Sequence, residues 1–491
     1  MAEIKIADEI FNRRRKLQEM REAGAAPFAE RFEVSHSIEE ASRLEDGVDG
    51  VVIAGRIVGL RYFGKLAFGS LFDHSGRVQS ALQKNRLGEE FDLFKERVDV
   101  GDFVGIKGDM FTTRTGEKTL NIEMWEFLSK SLRPLPEKFH GLTDREQILR
   151  KRYLDLIASP DSMTRFKTRT RIISILRNIL DDHDFIEIDT PVLTNKASGA
   201  LATPFTTHYD ALDFDAYLRI APETYLKRAV AGGFTRVYEF ARCFRNEGVD
   251  ASHLPDFTML EYYCAFWNYQ DNMEFTELLI KNLLQTFNGS LEIKRGDTNI
   301  SFEGEWPRRS FQEVIKDSSG IDIQEISTKV ALTEEVNKRG IDLERNIEEP
   351  SLSFGGLVDL LFKKVSRQHI IDPCFVIHHP IEVSPLARRN DENPSVVDRY
   401  QLVVNGWEIV NAYSELIDPV DQRERFEEQM KAREAGDTEA MEIDEDFLLC
   451  MEHGMPPMSG WGMGIDRFVA LLTEVENLRD VVLFPLMRPE Q

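Results

Sequence analysis

The segment between residues 237 and 263, VYEFARCFRNEGVDASHLPDFTMLEYY, predicts a hairpin whose charged side chains suit no ordinary core. Its second strand places Phe257, Met259, Glu261 and Tyr263 on one face, because side chains two residues apart on a strand share a face. An aromatic ring, a thioether, a carboxylate and a phenol in one row are typical of a pocket. The alternative interpretation is a half-buried hairpin with a solvated charged face.

Two further features of this chain indicate anion binding. Arg245 ends the first strand of the hairpin, and a guanidinium can fork onto a phosphate or a carboxylate. Near the C-terminus, the stretch GWGMGIDR (460–467) runs into an apolar helix. Its glycines let a backbone approach a ligand closely. Arg467 in a first helical turn opposes the helix dipole, so a bound anion would explain its position.

The pattern FRxEG…H…FT…E, followed by GxGIDR, resembles motifs two and three of the class II aminoacyl-tRNA synthetases. The resemblance implies an antiparallel sheet that binds ATP, and the chain has no GxxxxGK[ST] loop. Residues 165–183 have the apolar spacing of an amphipathic helix, and a short strand follows that Pro191 ends. In the family this unit forms a homodimer interface. A surface helix packed on its own core is the alternative.

Within class II, four stretches resemble the lysyl-tRNA synthetases and cover nearly the whole chain. They are RIAPETYLK (219–227), HHPIEVSPLA (378–387), NAYSEL (411–416) and the linker segment LRPLPEKFHGL (132–142) followed by RYLDL (152–156). The resemblance implies a lysine–tRNA ligase that forms lysyl-adenylate from lysine and ATP, with Mg²⁺, and transfers lysine to the 3′ end of tRNA(Lys). The alternative is a lysyltransferase that uses the same adenylate on a protein or lipid acceptor.

The same resemblance implies a role for individual residues. The residues expected to bind lysine are Gly199, Glu223, Arg245, Glu261, Tyr263, Asn411, Tyr413 and Glu415. Those expected to bind ATP are Arg245, Glu247, His253, Phe257, Glu408 and Arg467, with Arg245 and Arg467 as the catalytic pair. Glu408 is the expected Mg²⁺ ligand.

The residue types themselves fit a lysine pocket, because a long cationic side chain needs carboxylates flanked by aromatic faces. Asn411, Tyr413 and Glu415 alternate on one strand face. Glu408 is out of phase with them, which predicts a bulge or turn near residues 409–410.

Four positions depart from the family pattern. Gln401 stands where a second metal-binding glutamate is usual, although its neutral carbonyl oxygen is a permissible Mg²⁺ ligand. Leu254 replaces an asparagine, Asp256 a glutamate, and Met124 a glutamate late in the predicted barrel.

The order of the patterns predicts an α+β multidomain chain. We expect an N-terminal helical extension (1–48), an OB-fold β-barrel that binds the anticodon (49–130), a linker (131–150) and a class II catalytic domain (151–491), an antiparallel sheet flanked by helices. In the family, Phe68 and Gln79 meet the central anticodon base, although core packing is an alternative for Phe68. The cluster of Arg13 to Lys16 is either a phosphate contact or a solvated helix face.

Composition sets the remaining expectations. The net charge is −24, yet residues 1–150 carry only −2, so acidity resides in the catalytic part. Because no apolar run reaches membrane-spanning length and no leader-like segment opens the chain, we expect a cytoplasmic protein with no membrane and no DNA partner. The four cysteines form no CxxC pair, so neither a disulfide framework nor a zinc site is predicted.

Overall fold

The structure is a computed structural model that describes residues 2–136, 144–248, 250–349, 352–434 and 441–490. The chain divides into two compact units, Met1–Met163 and Thr164–Gln491. Residues 137–143 of the predicted linker lie outside the described residues. The domain limits predicted from the sequence stay predictions.

The first unit is built on a five-stranded barrel. Its strands are β1 (Val51–Phe63), β2 (Leu66–Phe72), β3 (Arg77–Gln83), β4 (Phe103–Thr112) and β5 (Lys118–Ser129). Its helices are α1 (Ala2–Glu22), α2 (Ile38–Arg43), α3 (Lys84–Leu87), α4 (Glu89–Arg97), α5 (Arg145–Arg150) and α6 (Arg152–Ala158). The strands close in the order β1-β2-β3-β5-β4 around an apolar core, which confirms the predicted barrel.

Helix α1 contacts the barrel through charged side chains. Arg13 is 4% exposed and donates to the carbonyls of Val100 and Ser131, while Lys16 pairs with Asp99. Two members of the basic cluster therefore stabilise the fold, and a phosphate contact by Arg13 is excluded by its burial. Arg14 and Arg15 remain exposed.

The second unit holds the remaining elements. Its strands are β6 (Ile186–Glu187), β7 (Leu193–Thr194), β8 (Phe205–Tyr209), β9 (Phe214–Leu218), β10 (Arg236–Phe244), β11 (Asp256–Ala265), β12 (Glu292–Arg295), β13 (Thr298–Ser301), β14 (Arg308–Ser310), β15 (Cys374–Ile377), β16 (Arg399–Val404), β17 (Trp407–Ser414) and β18 (Met458–Gly464). Its helices are α7 (Pro160–Asp181, which begins before the division), α8 (Glu223–Ala231), α9 (Tyr269–Asn288), α10 (Phe311–Ser319), α11 (Lys329–Lys338), α12 (Phe354–Leu361), α13 (Pro419–Glu434), α14 (Glu445–Glu452) and α15 (Ile465–Leu472).

An eight-stranded sheet in the order β14-β15-β16-β17-β18-β11-β10-β6 organises this unit. Its strands pair antiparallel except at the two ends, where β14–β15 and β6–β10 are parallel, and helices pack on the apolar face. The predicted antiparallel sheet is confirmed. The predicted hairpin is β10–β11, and β11 lies inside the sheet between β10 and β18. The alternative of a solvated hairpin face is therefore wrong.

The predicted amphipathic helix and strand are also present with different bounds. The helix is α7. The strand after it is shorter than predicted, spans Ile186–Glu187, and lies at the sheet edge beside β10. No helix in the described parts of the chain is long and apolar enough to cross a membrane.

Candidate functional site

Two rows of aligned residues cross one face of the sheet. Glu261 on β11 lies opposite Gly462 on β18, which lies opposite Asn411 on β17. In the next row Tyr263 lies opposite Gly460, which lies opposite Tyr413. Because paired residues share a face, the predicted lysine-binding residues of β11 and β17 meet across a strand that has no side chains at these rows.

The glycines of β18 form the floor of this pocket. A Cβ built on Gly460 would lie 2.2 Å from Oε1 of Glu415 and 2.3 Å from Cε1 of Tyr263. A Cβ on Gly462 would meet the end of Met259 at 3.3 Å. Gly460 is therefore required, because Glu415 and Tyr263 close over the strand at this position.

Helix α8 places a second carboxylate over the same face. Oε1 of Glu223 accepts a hydrogen bond of 2.7 Å from the phenol of Tyr413 and one of 2.6 Å from Nζ of Lys227. Lys227 also forms an ion pair with Glu415, and all three charged side chains are buried. Burial opposes the charge on Lys227, but Glu223 and Glu415 raise its pKa above the ordinary value.

Glu261 is buried without a comparable cation. Its Oε2 accepts a weak hydrogen bond of 3.3 Å from the phenol of Tyr263. Burial, and then the charge of Glu223, raise the pKa of Glu261 well above its ordinary value. This carboxylate therefore gains from any cation that enters the pocket.

Gly199 and Asn411 border the pocket. Gly199 has φ of +91°, a backbone conformation that favours glycine, and a Cβ there would lie 3.2 Å from Cβ of Glu223. Oδ1 of Asn411 accepts a hydrogen bond of 2.8 Å from Nε of Arg399. Because this contact fixes the amide orientation, Nδ2 of Asn411 is the group that can donate to an anion.

At the far end of β10, Arg245 and Phe257 form a cationic and aromatic pair. The Arg245 guanidinium carbon lies 5.0 Å from the centre of the Phe257 ring. Nε of Arg245 is buried and has no hydrogen-bond partner among the described residues. Glu247 follows in the half-buried loop. A phosphate or carboxylate would complete the hydrogen bonds of this guanidinium.

Asp466 and Arg467 open α15, as the sequence predicts. Asp466 is buried, accepts from the amide of Thr258 at 2.8 Å and pairs with Arg169 of α7 at 2.5 Å. Nη1 of Arg467 lies 3.4 Å from the carbonyl oxygen of Glu408. Asp466 thus fixes the first helical turn and leaves Arg467 on the side of Glu408.

The predicted bulge in β17 is confirmed. Leu402 lies opposite Val410 and Val403 opposite Glu408, so Ile409 is the additional residue. The bulge brings Oε2 of Glu408 within 3.0 Å of Nε2 of Gln401. Oε1 of Gln401 is buried and has no hydrogen-bond partner among the described residues.

These two side chains offer oxygen atoms to a Mg²⁺ ion, which proteins commonly hold with one or two carboxylates and substrate phosphates. No cluster of three or more His, Cys, Asp or Glu side chains in the described part of the chain is arranged to hold a metal. Burial opposes ionisation of Glu408, yet Arg467, Arg367 and Arg399 lower its pKa below the ordinary value. The carboxylate and the orphaned amide oxygen fit a metal shared with a polyphosphate.

The loop between β10 and β11 explains two of the departures. Leu254 is buried in the apolar core, and Asp256 pairs with Arg242 on the neighbouring strand. His253 is exposed, with its Nδ1 3.0 Å from Asp250. Leu254 and Asp256, the two residues of this loop that depart from the family pattern, therefore each have partners within the fold.

In the barrel, Phe68 and Gln79 lie on the outward face of β2 and β3. Phe68 is half-buried and makes an edge contact with Phe63 at 6.4 Å, and Nε2 of Gln79 donates to Thr119 at 3.0 Å. The geometry does not support core packing for Phe68. Met124 is 57% exposed beside a bulge in β5, and Glu126 is exposed two residues later.

Sequence reasoning missed two residues that shape the pocket. Lys227 was within the matched stretch 219–227, and its spacing of four residues from Glu223 is the available signal, because such residues are neighbours on a helix. Arg399, which orients Asn411, gave no local signal.

Family models match both units of the chain. The model described as tRNA synthetases class II (D, K and N) matches residues 144–488, and that described as OB-fold nucleic acid binding domain matches residues 51–128. The chain therefore belongs to the class II tRNA synthetases.

Curated relatives narrow the family. The lysine–tRNA ligase of Pelotomaculum thermopropionicum is 45% identical over 98% of this chain and 94% of its own length. That of Prochlorococcus marinus (strain MIT 9515) is 45% identical over 95% of this chain and 94% of its own. That of Bacillus subtilis is 42% identical over 98% and 97%. Within class II, the chain falls in the lysine–tRNA ligase family.

We predict that Gly460→Ala destabilises the protein, because the added methyl group would collide with Glu415 and Tyr263. The expected loss in the free energy of unfolding is about 1–3 kcal/mol, the usual cost of overpacking. Gly462→Ala is the matched control on the same strand, since only the flexible end of Met259 must move. Urea denaturation followed by tryptophan fluorescence compares the two, and equal stabilities would contradict the tight floor.

Proposed function

We propose that the pocket on the sheet face is the lysine site of a lysine–tRNA ligase. The observation that carries the proposal is the burial of Glu223, Glu261 and Glu415 together on one side of the pocket floor. Such a cluster repels anions and favours a ligand with more than one ammonium group.

In the proposed complex, Glu261 and Glu415, with Tyr263 and Tyr413, hold the ε-ammonium of lysine. Gly199, through its carbonyl, and Glu223 hold the α-amino group. Arg245 and Nδ2 of Asn411 bind the carboxylate. The orphaned Nε of Arg245 and the fixed amide of Asn411 support this assignment.

ATP would lie towards the Arg245 end of the site. Arg245 would contact the α-phosphate, Glu247 and Phe257 the adenine, and His253 and Arg467 the outer phosphates. The lysine carboxylate oxygen then attacks the α-phosphorus in line, forms the adenylate and expels diphosphate. No protein nucleophile is needed, because positioning and neutralisation of the developing charge by Arg245 and Arg467 supply the catalysis.

Glu408, with the carbonyl of Gln401, would hold Mg²⁺ against the phosphates. When bound, the ion neutralises phosphate charge and orients the leaving group. Arg367 lies 4.0 Å from Glu408 and adds positive charge on the same side.

In the second step, the 3′-terminal hydroxyl of tRNA(Lys) attacks the adenylate carbonyl and releases AMP. Phe68 would stack on an anticodon base and Gln79 would read its edge, which their outward positions support. The barrel and the curated relatives favour tRNA over a protein or lipid acceptor.

We also infer a homodimer in the cytoplasm. The edge position of β6 and the exposed apolar side chains of Ile186, Val192 and Leu193 support an interface at this unit.

We expect wild-type ATP–diphosphate exchange, tested with each of the twenty amino acids, to be fastest with lysine. Glu261→Gln should raise the KM for lysine about 10- to 100-fold, the scale of about 1.5–3 kcal/mol for a charged hydrogen bond. The KM for ATP should be nearly unchanged. In wild type the KM for lysine should rise as pH falls, because protonation of Glu261 removes its charge, and the variant should lose part of that dependence.

Glu239→Gln is the matched control for this experiment. Glu239 lies opposite Glu261 on β10 but already pairs with Arg219 at 2.6 Å. Its substitution should lower stability without a lysine-specific change in KM. Preference for another amino acid, or equal losses for lysine and ATP in Glu261→Gln, would contradict the proposed site.

For the metal, we expect Gln401→Glu to lower the Mg²⁺ concentration for half-maximal adenylate formation. The change adds a charged oxygen ligand beside Glu408. A magnesium titration of both proteins at saturating lysine measures it. Superimposable curves would mean that position 401 does not contact the metal.

For assembly, sedimentation equilibrium at micromolar protein should give twice the chain mass of 56.5 kDa. Val192→Arg should shift the protein towards monomer, since it places a charge among the exposed apolar side chains of this unit, directly before β7. Val330→Arg, also at an exposed valine but on α11, is the control and should remain a dimer. A monomeric wild type that still activates lysine would refute the interface.

A further inference from the structure

The pocket contains a lysine of its own. Lys227 is 1% exposed, lies one turn after Glu223 on α8, and has its Nζ 2.6 Å from Oε1 of Glu223 and in contact with Oε2 of Glu415. The rings of Tyr413 and Phe447 are centred 5.6 Å and 5.8 Å from this nitrogen. A buried ammonium with two carboxylates and two aromatic faces is charged and held in place.

The arrangement divides the oxygens of Glu415. Oε2 contacts Lys227, whereas Oε1 is buried beside Gly460, and a backbone hydrogen bond from Gly460 opposes the rise that burial causes in the pKa of Glu415. A buried carboxylate with few hydrogen-bond donors is costly, so a ligand ammonium group that donates to Glu415 is favoured. The Oε1 side of Glu415, which faces Gly460 and not Lys227, is therefore the place where a second ammonium group would bind.

The charges of the pocket also match only when Lys227 is counted. When all three are ionised, Glu223, Glu261 and Glu415 carry three negative charges, and Lys227 reduces the excess to two. The two ammonium groups of a lysine ligand would compensate these two negative charges, and its carboxylate would pair with Arg245. Without Lys227, one buried carboxylate would remain uncompensated in the complex.

We propose that Lys227 is a positioning residue that sets specificity: it fixes Glu223 and Glu415 and adjusts the pocket to a ligand with two ammonium groups. The inference rests on the proposed function of the pocket. The titratable and charged groups that face Lys227 and Glu415 are Glu223 from α8, Tyr413 from β17, Glu261 and Tyr263 from β11, and Arg245 beyond β10.

The test is ATP–diphosphate exchange by the full-length chain at pH 6–9, with lysine and with its neutral analogue 6-hydroxynorleucine. In Lys227→Met, the KM for lysine should rise about tenfold or more at pH 7. It should recover as pH rises, because burial raises the pKa of Glu415 and its carboxylate is lost at low pH without Lys227. The preference for lysine over the analogue should fall about tenfold, whereas kcat and the KM for ATP should be nearly unchanged.

Arg228→Met is the control, since Arg228 follows Lys227 on the same helix and pairs with Asp444 instead. It should leave the pH profile of the KM for lysine unaltered. If Lys227→Met fails to fold, Lys227→Gln is measured for the same changes, and Lys227→Arg should restore the wild-type profile.

An unchanged or lower KM for lysine in Lys227→Met would overturn the inference, since it would mean that Lys227 only fills the empty pocket. Equal losses for lysine and ATP would overturn it in favour of a purely structural role. A wild-type enzyme that prefers another amino acid would overturn the proposed function and this inference together.

Discussion

The burial of three carboxylates on one sheet face is the constraint on which the rest of the second unit depends. Each ionised carboxylate taken from water costs several kcal/mol unless cations and hydrogen-bond donors surround it. Glu223 receives Lys227 and the Tyr413 phenol, whereas Glu261 receives only a weak contact from Tyr263. In the free protein Glu223 therefore has more hydrogen-bond and ionic partners than Glu261. The cost of burying Glu261 with few partners favours the binding of a cation.

A rigid support is needed to hold this unfavourable cluster together. On the opposite face of the same strands, Trp461 stacks on Tyr262 at 4.7 Å, and both rings are buried in the apolar core. Strand β18 thus alternates large core residues with glycines. The core residues stabilise the sheet on one face, and the glycines leave space for the pocket on the other face. Asp466 extends the support by joining α15 to Thr258 and to Arg169 of α7.

Strand periodicity allowed much of this face to be predicted from the sequence. The alternation of Glu261 with Tyr263 and the phase change before Asn411 are local patterns. They therefore predicted correctly which of these side chains share a strand face and that β17 is irregular near Ile409. The role of Lys227 was not predicted from the sequence, because a Glu and a Lys four residues apart usually form an exposed ion pair on a helix. Only the sheet, together with Glu415 far along the chain, shows that this pair is buried. Similarly, the burial of Arg13 depends on carbonyls of distant barrel segments.

The matching family model groups D, K and N enzymes, so one fold serves three amino acids, and in the proposed lysine site the charges of the pocket would distinguish them. An aspartate side chain placed here would bring a fourth carboxylate among Glu223, Glu261 and Glu415, which is unfavourable by several kcal/mol in a buried site. A neutral asparagine would be too short to reach Glu415 and would leave the excess negative charge buried. Lysine alone of the three supplies a second ammonium group at the end of a long apolar stem. In the proposed site, selectivity follows because the ligand compensates charges that the fold has already buried. On the same proposal, Lys227 sets how much of that charge is left for the ligand to compensate.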